Sequence, residues 1–268
     1  MTQTLRSRSF PRIQPLLISI AALVASPAAL AQLAAPTDPA LQRLPTRYTG
    51  QADGTWKGNL GLGVTLTRGN SESEQLSLSF DAARATSDDR IVFRGIAVRN
   101  ETNQGTQADN AQASARYERN VSTDWFGFGQ AEFERDVLRD LNLRQTYGTG
   151  VGYRFVQTER TQFNVYTGLA YTRLNNVASA DTEGVEAFVG NEWSVKLGDN
   201  ASFIERFVYY PDTADTGGGR YVLEATINTK IQGALGLQLT ALQKYQQVVP
   251  PGRKSTDTIL FTVVTVAF

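Results

Sequence analysis

From Thr55 onward apolar and polar residues alternate, and the alternation restarts after each short polar break. In "TWKGNLGLGVTLTR", Trp56, Leu60, Leu62, Val64 and Leu66 fall on one side, and Lys57, Asn59, Thr65 and Thr67 on the other. After "GNSE", the stretch "QLSLSFDA" sets Leu76, Leu78, Phe80 and Ala82 against Ser77, Ser79 and Asp81. A period of two is the signature of an extended strand, and a polar break between two such runs reads as a hairpin turn. The pattern continues to "TDTILFTVVTVAF" and predicts twelve strands of about 9 to 14 residues each. A tilted membrane-spanning strand needs about 9–11 residues, whereas strands of soluble domains average about 5–6.

The connections sort by parity. Links after even-numbered strands are tight ("ATSDD", "NVST", "QTER", "GDN", "IQG"), while those after odd-numbered strands include "ETNQGTQ", "DVLRD", "NNVASADTE", "PDTADTGGG" and "QVVPPGRKS". "RGNSESE", the first odd link, is short for its class. Short turns at one end and longer loops at the other suit a barrel with periplasmic turns and outer loops. Pro211, Pro250 and Pro251 all fall in the long links, where a missing N–H costs no ladder bond. The fold class expected is therefore all-β, an antiparallel transmembrane β-barrel of about twelve strands spanning residues 55–268. Closing the ring removes both sheet edges.

The two faces then separate. In "YGTGVGYRFV", Tyr147, Val151, Tyr153 and Phe155 alternate with Gly148, Gly150, Gly152 and Arg154. In "VEAFVGNEWSVKL", Val185, Ala187, Val189, Trp193, Val195 and Leu197 alternate with Glu186, Phe188, Glu192 and Lys196. A basic residue facing lipid near the midplane costs about 2–4 kcal/mol, so the charged set is assigned inward. Lumen candidates are Lys57, Arg116, Glu118, Glu132, Glu134, Arg144, Arg154, Glu186, Glu192, Lys196, Glu224 and Lys244. They are read either as ion pairs that stiffen or fill the lumen or as the lining of a conducting path. Residues 91–100 and 202–210 carry apolar residues on both faces, and their outward sides are left unassigned. Aromatic residues gather at strand ends (Trp56, Trp125, Tyr153, Phe155, Tyr209, Tyr210), where interfacial girdles are expected.

The start of the chain differs. Arg6, Arg8 and Arg12 precede an apolar run from Leu16 to Ala25, and Ala29 and Ala31 supply a small-x-small cleavage pattern. Residues 1–31 are expected to be an export signal, followed by an irregular lead-in at 32–54 that holds Pro36, Pro39 and Pro45. Without the signal's three arginines the chain is slightly acidic, which gives no electrostatic case for nucleic acid. Cysteine and histidine are both absent, so disulfides, Cys/His metal sites and histidine-based nucleophilic catalysis drop out. The expectation is no enzyme and no cofactor. Asp212 and Asp215 in "DTADTGGG" offer oxygen ligands, but their spacing does not match an EF-hand loop.

Four stretches carry a family resemblance: "WKGNLGLGVTLTRGNSESEQLSLSFDA", "YGTGVGYRFVQTERTQFNVYTGLAYTR", "PDTADTGGGRYVLEATINTKI" and "KSTDTILFTVVTVAF". Across Trp56 to Phe268 the chain resembles the salt-induced outer-membrane proteins, a bacterial β-barrel domain family of undefined function. The resemblance implies a β-barrel fold and an outer-membrane address, and brings no substrate or catalytic residue. Phe268 ends an alternating apolar row and resembles the C-terminal assembly signal of outer-membrane barrels. Expected partners are outer-membrane lipids, the barrel assembly machinery and periplasmic chaperones. The functional expectation is a narrow pore for small polar solutes, with a non-conducting structural or surface-binding barrel and a soluble exported β-rich protein as alternatives.

Overall fold

The computed structural model describes residues 53–67, 73–212, 218–249 and 254–268. The export signal expected at 1–31, the expected lead-in up to residue 52, residues 68–72 of the first link, Asp215, Pro250 and Pro251 lie outside the described residues.

Among the described residues twelve strands form: β1 (Trp56–Thr67), β2 (Ser73–Ala85), β3 (Asp89–Thr102), β4 (Gly105–Asn120), β5 (Trp125–Asp136), β6 (Leu141–Gln157), β7 (Thr161–Asn176), β8 (Thr182–Lys196), β9 (Ala201–Tyr210), β10 (Arg220–Gln232), β11 (Leu235–Gln246) and β12 (Thr256–Ala267). All neighbours pair antiparallel in chain order, and β12 returns to β1 to close the ring. The closing seam pairs Asn59 with Ala267 through Leu62 with Val264. Gly58 and Phe268 extend it by exchanging both backbone bonds at 3.0 Å. No described helix is long and apolar enough to cross a membrane; the strands do the crossing.

Strand lengths run from 10 residues in β9 to 17 in β6, longer than the apolar pattern alone predicts. The excess comes from polar strand ends that keep pairing beyond the apolar stretch. "ETNQGTQ" shows the effect: Thr102 pairs with Gly105, leaving Asn103 and Gln104 as the whole link. Gly105 has φ 103°, a left-handed geometry that only glycine adopts cheaply in so tight a turn. The contrast between short and long ends is therefore weaker than the sequence suggests. It rests mainly on the links after β9 and β11.

The outward faces form an apolar belt. Leu60, Leu62 and Val64 of β1 and Leu260, Val264 and Val266 of β12 are all about half or more exposed. An exposed apolar surface running round a closed ring is what hydrocarbon covers. All three tryptophans sit at the turn end. Trp56 stacks on Phe93, Trp125 packs edge-on against Tyr153, and Trp193 packs edge-on against Phe203. At the loop end Phe207, Tyr221 and Tyr245 make a second aromatic run. Tyr210 does not join it: its side chain is 2% exposed and faces the lumen. Glu205 interrupts the belt between Phe203 and Phe207, and Asn191 Nδ2 donates to its Oε1 at 3.1 Å.

Candidate functional site

The ring encloses a lumen filled by its own side chains. β3 and β9, whose facing the sequence left open, turn Val92, Arg94, Ile96 and Val98, and Ile204, Arg206, Val208 and Tyr210, away from lipid. Their double apolar character follows from this packing. Ile96 and Val98 meet Phe261 and Val263 of β12 in one buried cluster. Phe126 and Phe128 of β5, Tyr166 of β7, Phe188 of β8 and Val208 and Tyr210 of β9 form another. The glycines of β6 make room for it: a Cβ at Gly152 would lie 2.1 Å from Cζ of Phe126.

Cations sit on this aromatic block. The Arg116 guanidinium lies 3.9 Å from the Phe128 ring centre and 4.3 Å from that of Tyr166, and Arg220 lies 3.7 Å over Tyr210. Cation–π contacts of this kind strengthen when water is excluded.

Around the block, ion pairs reach between strands that are not neighbours. Lys244 of β11 meets Glu134 of β5 at 2.7 Å, and those two strands stand opposite one another in the ring. Arg144 of β6 also holds Glu134, at 2.8 Å. Arg94 of β3 donates from Nη2 to Glu224 of β10 and pairs with Asp81 at 3.3 Å. Arg206 of β9 lies 3.3 Å from Glu132 and 3.5 Å from Glu192. Arg220 clasps Glu186 with two bonds of 2.5 and 2.7 Å. Glu118 gathers Arg90, Arg116 and Arg154 at 3.2, 3.1 and 4.0 Å.

The structure thus places Arg116, Glu118, Glu132, Glu134, Arg144, Arg154, Glu186, Glu192, Glu224 and Lys244 in the interior, paired in several groups. Lys57 and Lys196 take the inward register but lie at the turn end. Lys57 there pairs with Asp53 at 2.7 Å. Sequence reasoning left out Asp81, Arg90, Arg94, Asp136, Arg206 and Arg220. Arg220 was open to detection, since it stands four residues before Glu224 and therefore on the same strand face. The carboxylate pair Glu132 and Glu134 is occupied by Arg206, Tyr210, Lys244 and Arg144. Among the described residues, no group of three or more acidic side chains is placed to hold a metal ion.

Among the described residues, two cavities lie beside these pairs. One of about 80 Å³ lies mid-barrel, lined by Arg94, Glu132, Glu134, Arg206 and Glu224 among others. The other, about 180 Å³, is a cup at the loop end whose wall includes Asn110, Asp136, Arg139, Lys244 and Asp257.

The links at the loop end are tied by a carboxylate. Asp140, at φ 63°, accepts from the Ser179 hydroxyl and from the backbone N–H groups of Ala178 (2.7 Å) and Ser179 (3.1 Å). These bonds, the Ser179 hydroxyl first, hold its pKa below the usual carboxylate range. A depressed folded pKa means the tie is complete above the unfolded value near 4 and is lost as pH falls through the lower folded value. Asp140→Asn keeps the left-handed backbone accessible and removes the charge. Faster hydrogen exchange at Ala178 and Ser179 is expected in that variant at pH 7, and in the native chain only in strong acid. Equal exchange in both proteins at pH 7 would contradict the tie.

A closed antiparallel ring with an apolar outer belt, aromatic girdles and a charged interior defines an outer-membrane β-barrel. The chain belongs to the family described as "Protein of unknown function, DUF481", whose profile matches residues 60–268. The NanC porin structure resembles it at 8% identity and a TM-score of 0.48, with 79% of this chain and 98% of that chain covered. The translocator domain of the autotransporter NalP from Neisseria meningitidis does so at 13% identity and a TM-score of 0.40, with coverage of 80% and 87%. For the β domain of the Bordetella autotransporter BrkA the values are 9% and 0.35, with coverage of 81% and 98%. No curated protein matches.

Proposed function

We propose that this barrel is a narrow passage for small polar solutes, closed at rest by side chains that bridge its lumen. The observation that carries this reading is the Lys244–Glu134 pair. Lys244 lines the loop-end cup, Glu134 lines the mid-barrel cavity, and the bond between them stands where the two cavities would join. Each partner has a second counter-ion at hand. Glu134 keeps Arg144 at 2.8 Å, and Lys244 has Asp136 at 4.0 Å. The bridge can therefore open by exchange of partners without exposing a bare charge, at far lower cost than breaking an isolated buried pair. Charges of both signs line the route, which favours weak ion selectivity. Single-channel recording in planar bilayers tests the reading. Small, intermittent and weakly selective openings are expected, and persistent silence from inserted, folded protein would favour a permanently closed structural barrel. The aromatic block beneath the mid-barrel cavity is the feature that supports this second reading.

Reaching the membrane calls for the barrel assembly machinery and periplasmic chaperones, and we propose Phe268 as the residue they read. Its side chain is 60% exposed at the end of the outward row Leu260, Thr262, Val264, Val266, while its backbone closes the seam onto Gly58. Phe268→Asp is expected to cut the yield of heat-modifiable folded barrel severalfold in cells, against little change for Lys254→Ala at the loop end. Equal yields would remove Phe268 from any special role in assembly.

A further inference from the structure

The seam that closes the ring is its shortest join. The ladder between β1 and β12 stops at Leu62 and Val264 after four pairs, whereas the next shortest, between β8 and β9, runs to eight. Both strands continue toward the loop end. β1 stays paired with β2 as far as Thr67, and β12 stays paired with β11 from Thr256 onward. On the loop side of Leu62 and Val264 each is therefore held from one side only. The two still touch at Gly63, where a Cβ would lie 2.2 Å from the Thr262 carbonyl oxygen, and no ladder pair follows among the described residues. Exposure marks the same place. Val64 at 62% and Leu260 at 63% are the most exposed apolar side chains described on their strands.

Unpaired backbone at membrane depth persists only where protein buries it or water reaches it. Both conditions are met here. On the lumen side Phe261 and Val263 are buried and pack with Ile96 and Val98, so the gap is stopped by apolar side chains. At its loop end the gap meets the cup, because Thr258 and Ile259 of β12 line that cavity together with Ala108 and Leu242. Ala108 and Ile259 also pack on the apolar cluster, so one apolar wall leads from the gap into the cup. Lys254 and Asp257 bring charge to the cup's wall, and no charged residue belongs to the cluster.

We propose that this seam is a side port through which a single-chain amphiphile of the fatty-acid class passes between the loop-end half of the bilayer and the cup. Parting the strands beyond Leu62 breaks no ladder bond, while the four turn-end pairs and the Gly58–Phe268 exchange keep the ring closed. A single aliphatic chain needs a gap of one strand spacing, about 4.8 Å. The chain runs along Phe261, Ile259 and Leu242, and the polar end reaches the charged wall of the cup. This route differs from the axial passage in path and solute, and does not rest on it.

The test exploits the absence of cysteine from the native chain. Val64→Cys with Thr262→Cys puts one thiol on each side of the gap, and a short bifunctional thiosulfonate joins them after folding until reductant releases it. Ala241→Cys with Leu260→Cys, partners in the intact β11–β12 ladder, is the control. Each full-length protein is folded into phosphatidylcholine vesicles and checked by its heat-dependent gel shift, and each cross-link by mass. The probe is palmitate with a diazirine midway along its chain, and mass spectrometry locates the photolabelled residues. Val264 and Val266 face lipid in every sample and report labelling efficiency. The inward residues Ile259 and Phe261 should be labelled in the native protein, in the cross-linked control and in the seam variant before joining. They should lose the label when the seam is joined and regain it with reductant. No label at Ile259 and Phe261 beside labelled Val264 in the native protein would overturn the proposal. So would label that persists in the joined seam, which would show entry through the mouth of the cup. Bilayer conductance reports on the axial passage alone, so either reading can fail without the other.

Discussion

A Glu186→Leu barrel is expected to lose about 3–5 kcal/mol of stability, the cost of leaving a buried cation without its counter-ion. Glu186 is 1% exposed and takes two bonds from Arg220 and one from the Thr172 hydroxyl. Arg220 is itself 4% exposed and lies over Tyr210, so water does not readily replace the lost carboxylate. The pair as a whole is a different matter. Desolvating two charges offsets most of their attraction, so removing both with Arg220→Met and Glu186→Leu should recover much of the loss. Denaturant midpoints in detergent, read by gel shift, measure both changes. Glu183→Gln, exposed at the start of β8, serves as a control expected to stay within about 0.5 kcal/mol. A double variant no more stable than the single one would show that the network is more than paired charges.

Gly152→Val should be strongly damaging although it alters no charge. Its new Cβ would sit 2.1 Å from Cζ and 2.6 Å from Cε1 of Phe126. That ring cannot retreat easily, because it packs with Phe128 and carries the Arg154 guanidinium at 4.6 Å. Overpacking of this kind costs about 1–3 kcal/mol, and more where the neighbours are themselves confined. Phe126→Ala opens the space at a cost of its own, about 3–5 kcal/mol. Gly152→Val should therefore be nearly free in the Phe126→Ala background and costly in the native one. Equal costs in the two backgrounds would show that the glycine track does not serve the aromatic block.

The ring was legible in the sequence because lipid demands an apolar outer face whatever the interior contains. β6 and β8 show this plainly, with glycine and charge alternating against tyrosine, valine and tryptophan. β3 and β9 defeat the same rule. Their inward Ile96, Val98, Ile204 and Val208 help to fill an interior that is partly apolar, so neither face stands out by polarity. Link lengths misled for a related reason, since polar strand ends such as Thr102 and Gly105 look like loop while still pairing. Partners across the lumen were not readable at all. Local alternation tells which face a side chain takes but neither its height in the barrel nor what stands opposite. The meeting of Lys244 with Glu134 depends on the register of every strand between them.

Single-channel conductance of Lys244→Ala beside the native chain tests the central claim most directly. Removing Lys244 clears the bridge between the two cavities and leaves Glu134 with Arg144, so the barrel should remain folded. If the lumen is a passage held shut by that bridge, the variant should open more often and conduct more than the native protein, with its selectivity shifted toward cations by the lost positive charge. Native and variant channels with the same conductance, or silence from both in folded and inserted protein, would contradict the account.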